Sequence, residues 1–244
     1  MLNDWKNPKI DVSTRIIAAL GVVGAASKEM LFTLLNSSEI DSELEKVIEY
    51  GIVLKTNNNN NEVFLLSPIG QELYEKTVHL KALNVTDIGG VEHALDVLDV
   101  ALRTLEKIPA VDWYTTQEAN VMLKILCDIA KIPRSADIPR PDALIHGAQW
   151  AVWLQVLHPF VGVSTVAQMA SQYAAIFDKI SGFHAIVWVA QDAEQARRVR
   201  TAFGITYVPS PMRISLFNVS VLGYEVGQIT ALTQAPIQLI DSLF

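Results

Sequence analysis

The residues whose types could do chemistry lie close together between positions 140 and 158. Asp142 stands at the start of a short predicted strand, and His146 and His158 lie on either side of the next one. A carboxylate and two imidazoles can bind a transition metal, but histidines at turns and strand ends are more often ordinary surface residues. We therefore predict that these side chains hold no metal and that the protein uses no cofactor.

Basic side chains are densest in the same half of the chain, where three arginines fall on one predicted helix. The group consists of Arg197, Arg198 and Arg200 on that helix, with Lys131, Arg134 and Arg140 before it. Because cationic side chains supply much of the affinity for DNA phosphates, we predict a patch that binds double-stranded DNA. The alternative is a solvated helix face on which the arginines pair with Asp192 and Glu194.

Alternating short elements are expected to position Asp142. Residues 141–145 and 150–157 predict a β-hairpin, a helix capped by Ser164 should run to about residue 180, and residues 183–190 predict an apolar strand. A further helix should follow Asp192. A hairpin followed by a helical crossover implies a mixed sheet in an α+β or α/β domain. This order matches the core of the PD-(D/E)XK nucleases, which is restriction-endonuclease-like.

The nuclease resemblance implies a catalytic triplet that this chain lacks. In those enzymes an aspartate on the first strand and an acid-x-lysine motif on the second hold magnesium and activate water. Asp142 occupies the first position here, but Gln155 and Leu157 occupy the other two. We therefore predict a vestigial site with no catalytic residue and no enzyme activity. An active nuclease would require a migrated acid, such as Glu118 or Asp137.

The first part of the chain predicts a winged helix. Helical periodicity and caps indicate three helices between residues 13 and 51, the first capped by Ser13 or Thr14, and Ser67 with Pro68 begins a fourth. Two strands within residues 52–66 should form the wing. The predicted domains are a winged helix over 1–80, a linking helix over 81–110 and a nuclease-like domain over 111–244.

The charges of the predicted winged helix do not favour contact with DNA. Residues 1–80 contain seven Lys or Arg and eleven Asp or Glu, and the third helix is mostly acidic, with Lys46 as its one basic residue. Phosphates would repel such a helix. Contact with another protein, or dimerisation, is therefore the alternative use of this domain.

Composition limits the remaining classes of protein. Of the 244 residues, 50% are hydrophobic and 18% charged, which predicts a folded chain with a sizeable core. A lone cysteine, Cys127, fits a reducing, cytoplasmic location. Apolar runs are shorter than the roughly 20 residues that span a bilayer, so no membrane contact is expected. The apolar stretch from Ile237 to Phe244 would dock on its own sheet or on a second copy, giving a homodimer.

The order of elements also resembles the replication-relaxation family, which joins a winged helix to a PD-(D/E)XK-like domain. The segments that carry this resemblance lie within about residues 12–204 and are 64–70, 93–102, 140–144 and Gln172-Tyr173. The resemblance implies a role in plasmid or mobile-element replication, mobilisation or gene control. Because Gln155 stands where the family usually has an acid, we predict a non-catalytic, DNA-associated regulator or accessory factor of plasmid or mobile-element replication, mobilisation or transcription. The alternative is a scaffold, without DNA contact, that recruits a protein of a replication or transposition complex.

Overall fold

The structure is a computed structural model that divides into two compact units, residues 1–103 and 104–244. The residues that it describes are 5, 7–58, 61–107, 112–133, 138–146, 150–158, 161–177, 179–180, 183–190, 194–195, 213–220 and 223–225. None of the helices in these ranges is both long and apolar enough to span a membrane.

The first unit contains the helices and the hairpin predicted for a winged helix, in the predicted order. Its elements are α1 (Val12–Val23), β1 (Ala25–Ser27), α2 (Lys28–Leu35), α3 (Ile40–Glu49), β2 (Val53–Asn58), β3 (Asn61–Leu66) and α4 (Pro68–Val78), followed by α5 (Ile88–Lys107), which crosses the division between the units. The sequence did not predict β1, which pairs antiparallel with β3 and extends the hairpin to three strands in the order β1-β3-β2.

Local capping explains where these helices begin. The Ser27 hydroxyl accepts a hydrogen bond from the backbone N–H of Met30, and Ser67 caps α4 in the same way, with Pro68 at the first helical position. The expected cap of α1 was wrong. Asp11, and neither Ser13 nor Thr14, accepts the bond from the backbone N–H of Thr14, at 2.8 Å. Ser13 instead donates its hydroxyl to the carboxylate of Glu43.

A buried arginine connects separate segments of the first unit. Arg15 is 6% exposed, and its Nε donates to the carbonyl oxygen of Trp5 at 2.7 Å while Nη2 donates to that of Leu35 at 2.5 Å. The two carbonyls come from a segment before α1 and from the end of α2. Arg15 therefore satisfies a carbonyl at the C-terminal end of α2, where the helical hydrogen bonds end, and a second carbonyl before α1.

The second unit is built on a six-stranded mixed sheet, which agrees with the mixed sheet and helices that the sequence predicted for this α+β domain. Its elements are β4 (Asp112–Thr115), α6 (Thr116–Ile129), β5 (Ala143–His146), β6 (Trp150–Val156), α7 (Val163–Phe177), β7 (Phe183–Ala190), β8 (Arg213–Ser220) and β9 (Gly223–Glu225). The strands follow the order β4-β5-β6-β7-β8-β9, with β6, β7 and β8 parallel to one another and the other neighbours antiparallel.

Several boundaries in the second unit differ from the sequence prediction. β4 was not predicted, and α6 begins at Thr116 because Thr115 and Glu118 form a capping box. α7 begins at Val163, so Ser164 lies inside the helix and is not its cap, and the helix ends at Phe177. The arginine-bearing segment predicted to be helical lies outside the described residues, apart from Glu194 and Gln195.

The core of the second unit lies between the sheet and its helices. Trp153 and Trp188 lie in this core with no exposed surface. Cys127 packs in the same core, and burial raises the pKa of its thiol. A protonated, buried thiol has little nucleophilic character.

Candidate functional site

Asp142 and Gln155 face each other across the hairpin formed by β5 and β6. The last paired residues of the two strands are Ala143 and Leu154, so the next position on either side brings Asp142 opposite Gln155. The backbone N–H of Asp142 also donates to the carbonyl of Leu154 at 2.9 Å. The hairpin therefore brings Asp142 and Gln155 together.

The carboxylate of Asp142 is buried and engaged with two N–H donors. Asp142 is 6% exposed, and its Oδ2 accepts hydrogen bonds from Nε2 of Gln155 at 2.7 Å and from the backbone N–H of Val156 at 2.8 Å. Hydrogen bonds to an ionised oxygen are the strong ones in proteins, and they offset part of the cost of burying the charge.

Tyr173 on α7 completes a chain of three polar side chains. Its hydroxyl donates to Oε1 of Gln155 at 3.3 Å, so the amide of Gln155 presents its oxygen to the tyrosine and its nitrogen to Asp142. Burial, together with the nearby charge of Asp142, raises the pKa of Tyr173 well above its ordinary value. Tyr173 therefore stays protonated as the donor of this chain.

Two residues at the start of α6 hold the backbone that precedes β5. The hydroxyl of Thr116 donates to the carbonyl oxygen of Asp142 at 2.7 Å, and Nδ2 of Asn120 donates to that of Pro141 at 3.2 Å. Asn120 also donates to the carbonyl of Thr116. Hydrogen bonds thus hold both the backbone and the side chain of Asp142 in place.

The third vestigial position is part of the core. Leu157 is 1% exposed, its side chain packs in the apolar core of the second unit, and its backbone N–H donates to the carbonyl of Val189. His158 follows and is half-buried, with its carbonyl accepting from Gln195. His146 ends β5, and its side chain lies outside the described part of the chain.

This set of donors does not fit a divalent cation of the magnesium type. Magnesium needs several oxygen ligands in octahedral geometry, usually including more than one carboxylate or phosphate. Here two N–H groups converge on Oδ2 of Asp142, and Gln155 turns its nitrogen toward that oxygen. In the described residues, no three His, Cys, Asp or Glu side chains come together as a metal-binding group.

The proposed migrated acids do not join this site among the described residues. Glu118 accepts hydrogen bonds from the backbone N–H and the hydroxyl of Thr115, which holds its carboxylate at the start of α6. Asp137 lies outside the described residues. Glu118 is therefore engaged in capping a helix.

Two of the six residues in the predicted basic patch lie within the part of the chain that the structure describes. Lys131, in the turn after α6, and Arg140, shortly before β5, are both exposed. Arg134, Arg197, Arg198 and Arg200 lie outside the described residues. The patch stays a prediction.

Four lysines among the described residues of the first unit are paired with carboxylates. Two pairs connect different elements and two lie within a single helix, and they are Lys28 with Asp41, Lys55 with Glu62, Lys46 with Glu43, and Lys76 with Glu72. Lys28 and Asp41 lie on α2 and α3, whereas Lys55 and Glu62 lie on β2 and β3. The excess of acidic residues predicted for this unit therefore also supplies the carboxylates that neutralise these four lysines.

Sequence reasoning missed the contribution of Tyr173, Thr116 and Asn120 to the site. Tyr173 lies 18 positions from Gln155, and only the packing of α7 on the sheet brings them together. A signal for the start of α6 was present, because Thr115-Thr116-Gln117-Glu118 is a capping-box sequence.

Comparison with known proteins places the chain in no family. No protein-family model and no curated protein matches it. A solved structure of the SdaI restriction endonuclease is similar over 82% of this chain and 86% of that chain, with 10% identity and a TM-score of 0.29. A TM-score this low does not establish a common fold.

Proposed function

We propose that this protein is a non-catalytic accessory factor or regulator of a plasmid or mobile element, related to the replication-relaxation family. In this role its restriction-endonuclease-like domain binds double-stranded DNA and does not cleave it. The predicted contacts are Lys131, Arg134 and Arg140 with the three arginines after Asp192. The proposal rests on one observation, the hydrogen bonding of Asp142.

The state of Asp142 supports binding without cleavage. Cleavage of this type needs a cation held by two or more carboxylates and a base that activates water. Here the carboxylate is buried and engaged with Gln155 and Val156, and Leu157 is a core residue at the position where the nuclease motif has lysine. The neutral amide of Gln155 satisfies Asp142 in place of a cation.

A cation-binding experiment tests this reading of the site. We expect magnesium or manganese, compared with sodium at equal ionic strength, to leave the Tm of the wild-type protein unchanged and to raise that of Gln155→Glu. The added carboxylate would face Asp142 and create the acidic pair that a divalent cation stabilises. A metal-dependent rise in the wild-type Tm that Asp142→Asn abolishes would overturn the proposal.

A cleavage assay tests the absence of activity separately. Wild-type protein and Asp142→Asn should both leave supercoiled and linear duplex DNA intact in magnesium and in manganese. Nicking by the wild type that Asp142→Asn removes would show a working site. Nicking that persists in the variant would indicate a different acid.

DNA binding itself needs its own measurement. We expect duplex affinity to fall steeply with salt, and the combined change of Arg197, Arg198 and Arg200 to glutamate to abolish it. Unchanged affinity in that variant would show that the patch is wrongly assigned.

The first unit supports a second candidate function, an interaction scaffold without DNA contact. Its observation is the pairing of Lys28, Lys46, Lys55 and Lys76 with carboxylates, on a unit that is acidic overall. Cations held by carboxylates contribute little to phosphate binding. If the full chain shows no salt-dependent duplex affinity, and a stoichiometric protein co-purifies after nuclease treatment, the scaffold is the correct reading.

A further inference from the structure

A groove of about 470 Å³ lies in the first unit, between strand β2 and the residues around the start of α5. Leu54 and Ile88 line it and are 46% and 73% exposed, so the groove is open to solvent. The other apolar lining residues are Leu65, Val85 and Val91. Apolar side chains along an open groove are typical of a binding surface.

One side of β2 pairs with no other strand in the described part of the chain, because β2 lies at the edge of the order β1-β3-β2. The carbonyl of Ile52 accepts a hydrogen bond at 2.9 Å from the backbone N–H of Ser67, which lies directly opposite in the continued register of β2 and β3. Hydrogen-bonded positions alternate along an antiparallel pair. The backbone groups of Lys55 and Asn57 therefore point away from β3, and both residues border the groove.

These outward N–H and C=O groups match those of another extended backbone. A strand beside β2 would lie about 4.8 Å away and exchange hydrogen bonds with Lys55 and Asn57, as when a peptide adds to the edge of a sheet. Every second side chain of that strand would share the face on which Leu54 and Leu65 form a cross-strand pair. Because this face is apolar, an apolar side chain suits that position.

The charges along the groove favour a basic residue in the same peptide. Lys55 is paired with Glu62, whereas Asp87 is an exposed carboxylate that lines the groove. Its Oδ1 accepts a hydrogen bond from the backbone N–H of Gly90 at 2.7 Å, and the ion pairs formed between described residues do not include it. A Lys or Arg two positions from the apolar residue lies on the same face of an added strand, where its long side chain can reach Asp87.

We propose that the edge of β2 and this groove bind an extended peptide of another protein, which adds a fourth strand to the β1-β3-β2 sheet. An apolar side chain of the peptide packs against Leu54 and Ile88, and a Lys or Arg two positions away faces Asp87. The inference is independent of the proposed function, since it involves neither Asp142 nor the basic patch. The contact is small beside the roughly 800 Å² per partner of a standard interface, so the affinity should be about micromolar or weaker.

Peptide selection on the full chain tests this inference. The probe is a displayed library of random nine-residue peptides, selected on the immobilised protein. We expect the enriched peptides to share an apolar residue and a Lys or Arg two positions apart. The strongest of them, labelled with fluorescein, is then measured by fluorescence anisotropy. Enrichment of no peptide over the uncoated surface, or of peptides without this spacing, would overturn the proposal.

Loss of edge hydrogen bonds separates strand addition from other kinds of contact. Lys55→Pro removes an outward N–H and no hydrogen bond to β3, so it should weaken peptide binding about tenfold or more. The matched control is Lys55→Gln, which keeps this N–H and should bind as the wild type does. N-methylation of one alternate set of peptide amides should cause the same loss and of the other set little, and this arm does not depend on the folding of a variant. Equal binding after all these changes would exclude an added strand.

A change at Asp87 tests the basic residue of the peptide. Asp87→Asn keeps a side-chain oxygen that can cap α5 and should weaken binding about threefold at low salt. When the basic residue of the peptide is replaced by glutamine, wild type and Asp87→Asn should bind it equally. If Asp87→Asn binds the original peptide as tightly as the wild type does, the assignment of the basic residue to Asp87 is wrong.

Discussion

Arg15 and Asp142 are both charged and both buried, one in each unit, and they are satisfied in different ways. Arg15 donates to the carbonyls of Trp5 and Leu35, which lie 10 and 20 positions away. Asp142 accepts from Gln155 and Val156, two neighbouring residues of one strand.

Arg15 therefore holds distant segments of its unit together, whereas Asp142 takes part only in a local group of hydrogen bonds. Removing the guanidinium of Arg15 leaves carbonyls of two distant segments without their donors. Changing the surroundings of Asp142 alters a single strand pair, which other hydrogen bonds of the sheet continue to hold. We therefore expect changes at Arg15 to act on the stability of the first unit, and changes around Asp142 to act on local electrostatics.

The largest effect is expected for Arg15→Met. Loss of both donated hydrogen bonds leaves two buried carbonyls unsatisfied, which costs about 3 kcal/mol of unfolding free energy. Urea unfolding followed by circular dichroism measures it. Arg15→Lys, which keeps a charge and some donors, should lose less. Equal midpoints for the wild type and the methionine variant would contradict the connecting role of Arg15.

Gln155→Glu is expected to have the next largest effect. It places a second buried carboxylate against Asp142, and two like charges in one buried place cost about 2 kcal/mol at neutral pH. The measurement is the unfolding free energy without divalent cations, compared between about pH 7 and pH 4.

The pH dependence of Gln155→Glu has a definite sign. Burial and repulsion by the nearby carboxylate raise the pKa of the introduced carboxyl in the folded state above its unfolded value. The folded variant then binds protons more tightly, and its stability relative to wild type rises as the pH falls. Gln155→Met is the matched neutral control, and its loss of unfolding free energy relative to wild type should stay constant between about pH 7 and pH 4. If the loss in Gln155→Glu were equally constant, the two acids would not interact.

Tyr173→Phe should cost about 1 kcal/mol, because Oε1 of Gln155 loses its donor. The raised pKa of Tyr173 predicts a second effect. The unfolded chain ionises this tyrosine at lower pH than the folded chain does, so wild-type stability falls as the pH rises above about 10. The unfolding free energy of the phenylalanine variant should fall less steeply with pH. If it falls as steeply as that of the wild type, Tyr173 does not ionise at a higher pH in the folded chain.

The smallest effect is expected for Lys55→Gln. Lys55 and Glu62 form an exposed cross-strand ion pair, and such pairs contribute little to stability in water. We expect the urea midpoint to stay within experimental error and duplex affinity, if any is measured, to stay unchanged. A clear loss of duplex affinity would assign DNA contact to the first unit and reverse the contrast drawn here.

Sequence patterns predicted the longer elements well and the shortest strands poorly. Helix α4 was recognised by its serine cap, and strands β6 and β7 by their apolar runs. β1 has only three residues, Ala-Ala-Ser, and its pairing with β3 is a contact between distant positions. Periodicity cannot be read from three residues, so no local signal predicted it.

The candidate site was predictable to the extent that it depends on a hairpin. The pairing of Asp142 with Gln155 follows once the strands are placed in register. The contact from Tyr173 depends on how α7 is rotated about its axis and where it packs on the sheet. The helical pattern does not determine which residue of α7 then faces Gln155. The hydrogen bonds from Thr116 and Asn120 likewise required the true start of α6.

The amide of Gln155 limits which substitutions evolution tolerates at this position. Glutamine and glutamate codons differ at one base, so mutation readily samples the acid at this position. Any such variant faces the Asp142 carboxylate at once and carries the cost of two like charges in one buried place unless a divalent cation binds between them. Selection for a chain that folds without a bound cation therefore retains the glutamine.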